Sequence, residues 1–300
     1  MRRFIADVAA FCALLALLAL ALDRASVLKL RRMRLDASVT TVIAGDSHTE
    51  TALDDRAIPG AVNISRPAEH LLFTFEKLQL VLPRNPGVRT VVLGLGFHNF
   101  SAFFERFGRR RAVVRLSYQD AFPTLDAEAR WFLLLHDPAG LLLWAGAIVR
   151  SEAAGLLHAE RYADYGFWGH PYRSEGSDLS DTAVAGEIAL HFYRGRDRLQ
   201  AFASREGPYL DRIVRLCAER RVRLVLINTP LNPRYAERVP PPFVRRYDDA
   251  LRPIRAAGVA LLDYHALALP DDWYGDGDHL NARGAASFSR MVAADLARLP

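Results

Sequence analysis

Two short stretches carry residues whose types and spacing could do chemistry. The first is "VIAGDSHTETALDD" at 42–55, in which Ser47 follows a short apolar run. The second is "WYGDGDHLNARGA" at 273–285, in which Asp276 and His279 stand three residues apart. A serine hydroxyl is a poor nucleophile until a base takes its proton, and imidazole suits that task near neutral pH. The imidazole in turn needs an acceptor on its second nitrogen, which fixes its tautomer and stabilises its cation. Asp276 and His279, on one short loop, could supply both groups. Two readings stay open for Ser47, a nucleophile or a helix N-cap, because Ser and Asp cluster at helix starts. Asp278 is a second possible orienter, although a position next to His279 more often points away from the ring.

These residues need elements to position them. "VTTVIAG" (39–45) is a β-branched apolar run ending in glycine and reads as a buried parallel strand. "AVNIS" (61–65), "VRTVVLGLG" (88–96), "VRLVLINTP" (222–230) and "GVALLDYH" (258–265) read as four more strands. Apolar residues at helical spacing over 68–82, 209–221, 243–256 and from about Ala282 to Leu296 predict the helices between and after them. Such alternation implies an α/β fold with a mostly parallel five-stranded sheet covered on both faces. Ligands of such sheets sit beyond the carboxyl ends of the strands. Ser47 follows strand one and "GFHN" (96–99) follows strand three, so both belong on that rim.

The 300 residues suit one large domain or two small ones, and an apolar fraction of 51% excludes a disordered chain. The net charge of +5 comes with scattered arginines, with knots at Arg31–Arg32 and Arg109–Arg111. No nucleic-acid module surrounds either knot, and a nucleic-acid partner is not expected. Cys12 and Cys217 are too few for a disulfide framework or a zinc site. Asp263 and His265 with Asp276 and His279 form a polar cluster, but no H-E-x-x-H pattern supports a metal, and no cofactor is expected.

The expected organisation is an N-terminal transmembrane anchor or signal segment at 1–23, a basic juxtamembrane linker at 24–38, and a catalytic-type domain at 39–300 with a mostly helical insertion at about 100–205. The 19 residues from Phe4 to Leu22 are long enough to cross a bilayer as one helix and longer than a usual signal core. Arg2 and Arg3 precede this run, whereas Arg24, Lys29, Arg31, Arg32 and Arg34 follow it, a balance that favours a cytoplasmic domain. The insertion holds "WFLLLHDPAGLLLWAGAIV" (131–149), interrupted by Pro138 and Gly140, which reads as a helical hairpin. It also holds an aromatic stretch (161–180) in which Trp168 could stack on a sugar ring.

"GDS" after the first strand and D-x-x-H in the last loop together resemble the GDSL/SGNH hydrolase superfamily. The resemblance runs in order over about 39–99 and 207–298 and leaves out the insertion and the N-terminal segment. It implies a three-layer α/β/α, flavodoxin-like domain with Ser47 as nucleophile, His279 as base and Asp276 as orienter. It also implies an oxyanion hole built from the Ser47 N–H, a loop N–H after strand two and an asparagine side chain after strand three. The loop "NISRPAEH" (63–70) has no glycine, so Ser65 or Arg66 would donate there, and Pro67 could not. Asn99, or His98, would supply the side-chain donor. His48, His98 and Trp168 are the candidate substrate contacts.

A membrane segment beside such a domain looks like proteins that esterify or de-esterify envelope polymers. Similarity to alginate O-acetylation and teichoic acid D-alanyl transfer proteins implies a serine esterase or O-acyltransferase at a bacterial-type inner membrane, with its domain extracytoplasmic. Its partners would be an acylated glycan or small acyl ester, membrane lipid through the N-terminal helix, and a membrane acyltransferase. The alternatives are an inactive glycan-binding or scaffold protein of the same fold, and a cytoplasmic lipid esterase at the inner leaflet.

Overall fold

A computed structural model of the chain describes residues 34–103, 125, 127–136, 176–195 and 197–299, with scattered positions before residue 22. Five strands, β1 (Thr41–Ala44), β2 (Ala61–Asn63), β3 (Thr90–Gly94), β4 (Arg223–Asn228) and β5 (Ala260–Asp263), form one sheet in the order β2-β1-β3-β4-β5. Every pairing is parallel, with Ile43 opposite Val92 and Leu93 opposite Leu226. That order is the flavodoxin-like one, with its switch point between β1 and β3, where a crevice opens beyond the strand ends. Each observed strand is shorter than its apolar run, because the outer residues of the run already belong to the turns.

Alternation along the strands sorts the core into two layers. Val42, Ala44, Val91, Leu93, Leu224 and Leu226 pack into one buried cluster. Helices α2 (Leu71–Arg84), α4 (Asp181–Phe192), α5 (Glu206–Arg220) and α7 (Pro241–Ala256) cover that face. Ile43, Val92, Val225 and Ile227 face the other way, against α1 (Ser47–Ala52) and α8 (Ala282–Arg298). Burying each such side chain contributes roughly 1.5–3 kcal/mol, so register is strongly specified on both faces. The remaining described helices are α3 (Ala127–His136) and the short α6 (Pro233–Ala236).

Helix starts have identifiable causes. Asn281 caps α8 by accepting the Gly284 N–H at 3.0 Å, while its amide donates to the Asp272 carbonyl at 2.8 Å. A Cβ on Gly284 would collide with the Trp273 carbonyl, so the helix can start this close to the preceding loop only with glycine there. The α2 cap is His70, whose Nδ1 accepts the Leu72 N–H at 2.9 Å. From within α2, a fully buried Lys77 donates to Glu69 Oε2 and to the Ile64 carbonyl, both at 2.5 Å, tying the loop after β2 to the helix.

Among the described residues, no helix is long and apolar enough to cross a membrane. The expected span at 4–22 is described only at scattered positions, and the hairpin at 131–149 beyond His136 and the aromatic stretch up to residue 175 lie outside the described residues. Both arginine knots lie there as well.

Candidate active site

Gly45, with φ at +148°, turns the chain sharply out of β1 and lets α1 begin at once. The residue that caps α1 is Asp46, whose carboxylate accepts the His48 N–H at 3.0 Å. Ser47 is therefore the first residue of the helix, and its hydroxyl is not spent on capping. Thr49, two residues along, sits where a Cβ on Gly94 would be, so α1 packs directly on the end of β3.

The second stretch closes on itself. Tyr274 and Leu280 form an antiparallel bridge, and Gly275 N–H donates to the His279 carbonyl at 2.9 Å. Asp276 Oδ1 accepts the backbone N–H of Asp278 at 3.1 Å and of His279 at 2.8 Å, so its carboxylate organises the turn that presents the histidine.

The two stretches meet. His279 Nε2 lies 2.8 Å from Ser47 Oγ, across 232 positions of sequence. Its Nδ1 lies 2.9 and 3.0 Å from the two Asp276 oxygens. In the neutral ring, Nδ1 carries the proton and donates to the carboxylate, leaving Nε2 to accept from the serine hydroxyl. Burial pushes the His279 imidazole down, but the Asp278 charge and hydrogen bonding to Asp276 outweigh it and raise it well above the ordinary value. Asp278 does not point away: the tight turn folds its carboxylate to 3.1 Å from His279 Nδ1.

His48 and His98 are not surface contacts. Both are buried, stacked ring on ring with centroids 3.8 Å apart. His98 Nε2 bonds Asp46 Oδ2 at 2.7 Å, and His48 Nε2 stands 3.2 Å from Asp278 Oδ2. The phase of the first helical turn aims His48 inward, against His98 and Asp278. Burial, followed by the neighbouring His98 charge, lowers the His48 imidazole. Burial would raise Asp46, but the His98 charge and hydrogen bond hold it below the usual carboxylate range.

The expected oxyanion donors fare differently. Asn99 Oδ1 accepts the Gly96 N–H at 2.7 Å and its Nδ2 donates to Asp46 Oδ2 at 3.0 Å, which fixes the orientation of the amide. The second Nδ2 hydrogen and the Ser47 N–H find no acceptor among the described residues. Ser65 needs correction, because its N–H is taken by Asn63 Oδ1 at 3.0 Å. The Arg66 N–H is likewise taken by the Gly45 carbonyl at 3.1 Å. The left-handed position in this loop belongs to Ala68, with φ at +51°. Trp168 lies outside the described residues.

Sequence reasoning missed two side chains from α4. His191 Nδ1 is 3.2 Å from Asp278 Oδ2 and shares a 2.8 Å hydrogen bond with the Tyr235 hydroxyl. Glu187 accepts the Gly277 N–H at 3.0 Å. The available signal was their i, i+4 spacing on one helix face. Burial pushes His191 down to about 3, and burial with the Asp278 and Asp276 charges pushes Glu187 up to about 8. Glu50, one turn after Ser47, is driven up to about 8 by burial.

Among the described residues, two groups bring ligand-type atoms within 4.8 Å of one another: His48, Asp278 and His279, and Glu187, Asp276 and Asp278. In the first, both His279 nitrogens are already engaged by Ser47 and the carboxylates, so a cation there would take the base from the serine. Asp263 and His265 pair with each other at 2.6 Å and do not join Asp276 and His279 among the described residues.

Comparisons with known proteins add little beyond this geometry. A protein-family model that carries no functional description matches residues 197–299, and no curated protein matches the chain. A solved structure of a candidate platelet activating factor from Streptococcus pneumonia aligns with 13% identity and a TM-score of 0.42, covering 96% of this chain and 99% of that one.

Proposed function

We propose that the protein is a serine esterase or O-acyltransferase of the GDSL/SGNH type, acting on acyl esters of a cell-envelope glycan. The observation that carries this reading is the 2.8 Å approach of His279 Nε2 to Ser47 Oγ, with Asp276 on the other ring nitrogen. Ser47 Oγ attacks the acyl carbon as His279 Nε2 takes its proton. The negative charge passes to the carbonyl oxygen, for which the Ser47 N–H and the second Asn99 amide hydrogen are the donors at hand. His279 then returns the proton to the departing alkoxide, leaving an acyl group on Ser47. In the second half, His279 deprotonates water or a sugar hydroxyl, which attacks the acyl carbon and frees the serine. Esterase and transferase differ only in that second nucleophile.

The N-terminal apolar segment would hold the domain at a bacterial-type inner membrane, extracytoplasmic side outward. An acylated glycan, membrane lipid and a membrane acyltransferase would be its partners. The basic residues after the segment favour the opposite side, and a compartment-sensitive reporter fused to the C-terminus decides between them.

Labelling of purified protein with a serine-directed fluorophosphonate tests the chemistry. Labelling should vanish in Ser47→Ala and fall sharply in His279→Ala. A second reading, an inactive glycan-binding or scaffold protein, draws support from the engaged N–H groups of Ser65 and Arg66. Folded wild-type protein that takes no label would favour it.

A further inference from the structure

Asp276 and Asp278 both face His279, but in different ways. Asp276 meets Nδ1 in good hydrogen-bonding geometry with both oxygens, and its side chain is 35% exposed. Its Oδ1 also serves two backbone N–H groups. Asp278 is fully enclosed, and neither oxygen makes a directed hydrogen bond. Three imidazole nitrogens surround it instead: His279 Nδ1 at 3.1 Å, His48 Nε2 at 3.2 Å and His191 Nδ1 at 3.2 Å.

A buried carboxylate without directed donors is costly unless a cation stands beside it. We propose that Asp278 is a second positioning carboxylate, which holds the His279 imidazolium while Asp276 sets the orientation of that ring. The proposal rests on the serine chemistry described above and adds a division of labour to it. Of the three rings, His279 is the one able to carry the compensating proton, because burial lowers both His48 and His191 whereas His279 is raised. His48 is further discouraged by His98 stacked on it at 3.8 Å. Asp278 itself is drawn well below the usual carboxylate range, since the His279 charge and the close approach of the His279 and His48 nitrogens outweigh its burial.

The other ionisable groups facing this pair are few among the described residues. Glu50 of α1 and Glu187 of α4 both feel the His279 charge, and both are raised to about 8, so they are largely neutral at pH 7. Tyr235 of α6 is raised well above its ordinary value by burial and by the Asp278 charge, so it remains a neutral hydroxyl. Asp278 is thus the main buried negative charge on the ring. It stabilises the cation formed when Ser47 is deprotonated, and it makes the free base scarcer at low pH.

The test is the pH profile of kcat/KM for p-nitrophenyl acetate in wild type, Asp278→Asn and Asp276→Asn. Activity requires neutral His279, so the acid limb follows its titration. Asp278→Asn should move the midpoint of that limb down by about one pH unit or more. Its alkaline plateau should fall roughly tenfold, because the imidazolium loses its counter-charge. Asp276→Asn should lower the rate on the order of 10²-fold or more at every pH and move the midpoint less. Superimposable midpoints for Asp278→Asn and wild type, or a larger displacement in Asp276→Asn, would overturn the proposal. If Asp278→Asn does not fold, Asp276→Asn decides: a midpoint still above the ordinary imidazole range supports it, and a drop into that range defeats it. Should wild type neither label nor turn over, the serine chemistry fails separately. NMR titration of the His279 ring with and without Asp278 then tests the charge assignment without turnover.

Discussion

Two of the carboxylate–imidazole pairs beside Ser47 differ above all in enclosure. Asp46 and His98 lie 2.7 Å apart with side chains 3% and 5% exposed. Asp276 and His279 lie 2.9 Å apart with side chains 35% and 22% exposed. The first pair is built into the floor: Asp46 also accepts from His48 and Asn99, and His98 is roofed by the His48 ring. The second keeps one ring nitrogen facing a hydroxyl at the crevice. The same two functional groups therefore hold a fold together when sealed and can move a proton when one edge is open.

Removing each pair in turn should break that symmetry. The largest effect is expected at the open pair, where His279→Ala should lower ester turnover by at least about 10⁴-fold and also lower the melting temperature, because buried Asp278 loses its compensating cation. At the sealed pair, His98→Leu should leave Asp46 buried without its imidazole and cost about 3 kcal/mol of stability, read by urea denaturation. Unchanged stability in His98→Leu would erase the proposed distinction. Asn99→Ala touches both sides. It should lower the rate on the order of 10²-fold if the amide faces the oxyanion, and an unchanged rate would remove it from that role.

Protonation sharpens the comparison further. His70 and His191 are pushed down to about 3 from 6.5, so their contribution is complete above pH 6.5 and lost as pH falls toward 3. Glu50 and Glu187 are pushed up to about 8 from 4.5, so theirs is complete below pH 4.5 and lost as pH rises toward 8. His279, raised as well, adds to the alkaline loss. The opposing slopes offset each other between pH 4.5 and 6.5, and melting temperature should peak there. Glu50→Gln should flatten the alkaline side, and a melting temperature climbing steadily to pH 9 would contradict this balance. The smallest effect is expected at Ala68→Gly, where relief of left-handed strain exceeds the added chain entropy by about 0.5 kcal/mol.

Much of this architecture is readable from residue types. β-branched runs ending at Gly45 and Gly94 announce strands that stop at a rim, and buried parallel strands leave little choice of face. Ser47 and His279 are recognisable because the roles proposed for them, nucleophile and base, need particular neighbours close by in sequence. Capping was misassignable, since Asp46 and Ser47 are both good caps and only the turn at Gly45 decides between them. His48 and His98 looked like rim contacts because helix phase, not residue type, decides which way a ring points. Glu187 and His191 reach the site from an insertion with no strand pattern to place it, so nothing local tied them to Asp278. The loop after β2 was unreadable for a similar reason. Which N–H groups remain open there depends on Asn63 and Gly45 as acceptors, a matter of three-dimensional proximity.

The 232 positions between Ser47 and His279 impose a schedule on biosynthesis. A ribosome delivers the hydroxyl early and the imidazole late, after all five strands, so on the proposed chemistry the nascent polypeptide stays silent until the whole sheet has been made. On the proposed serine chemistry, premature termination anywhere in that interval would yield a product that keeps Ser47 but lacks the His279 base.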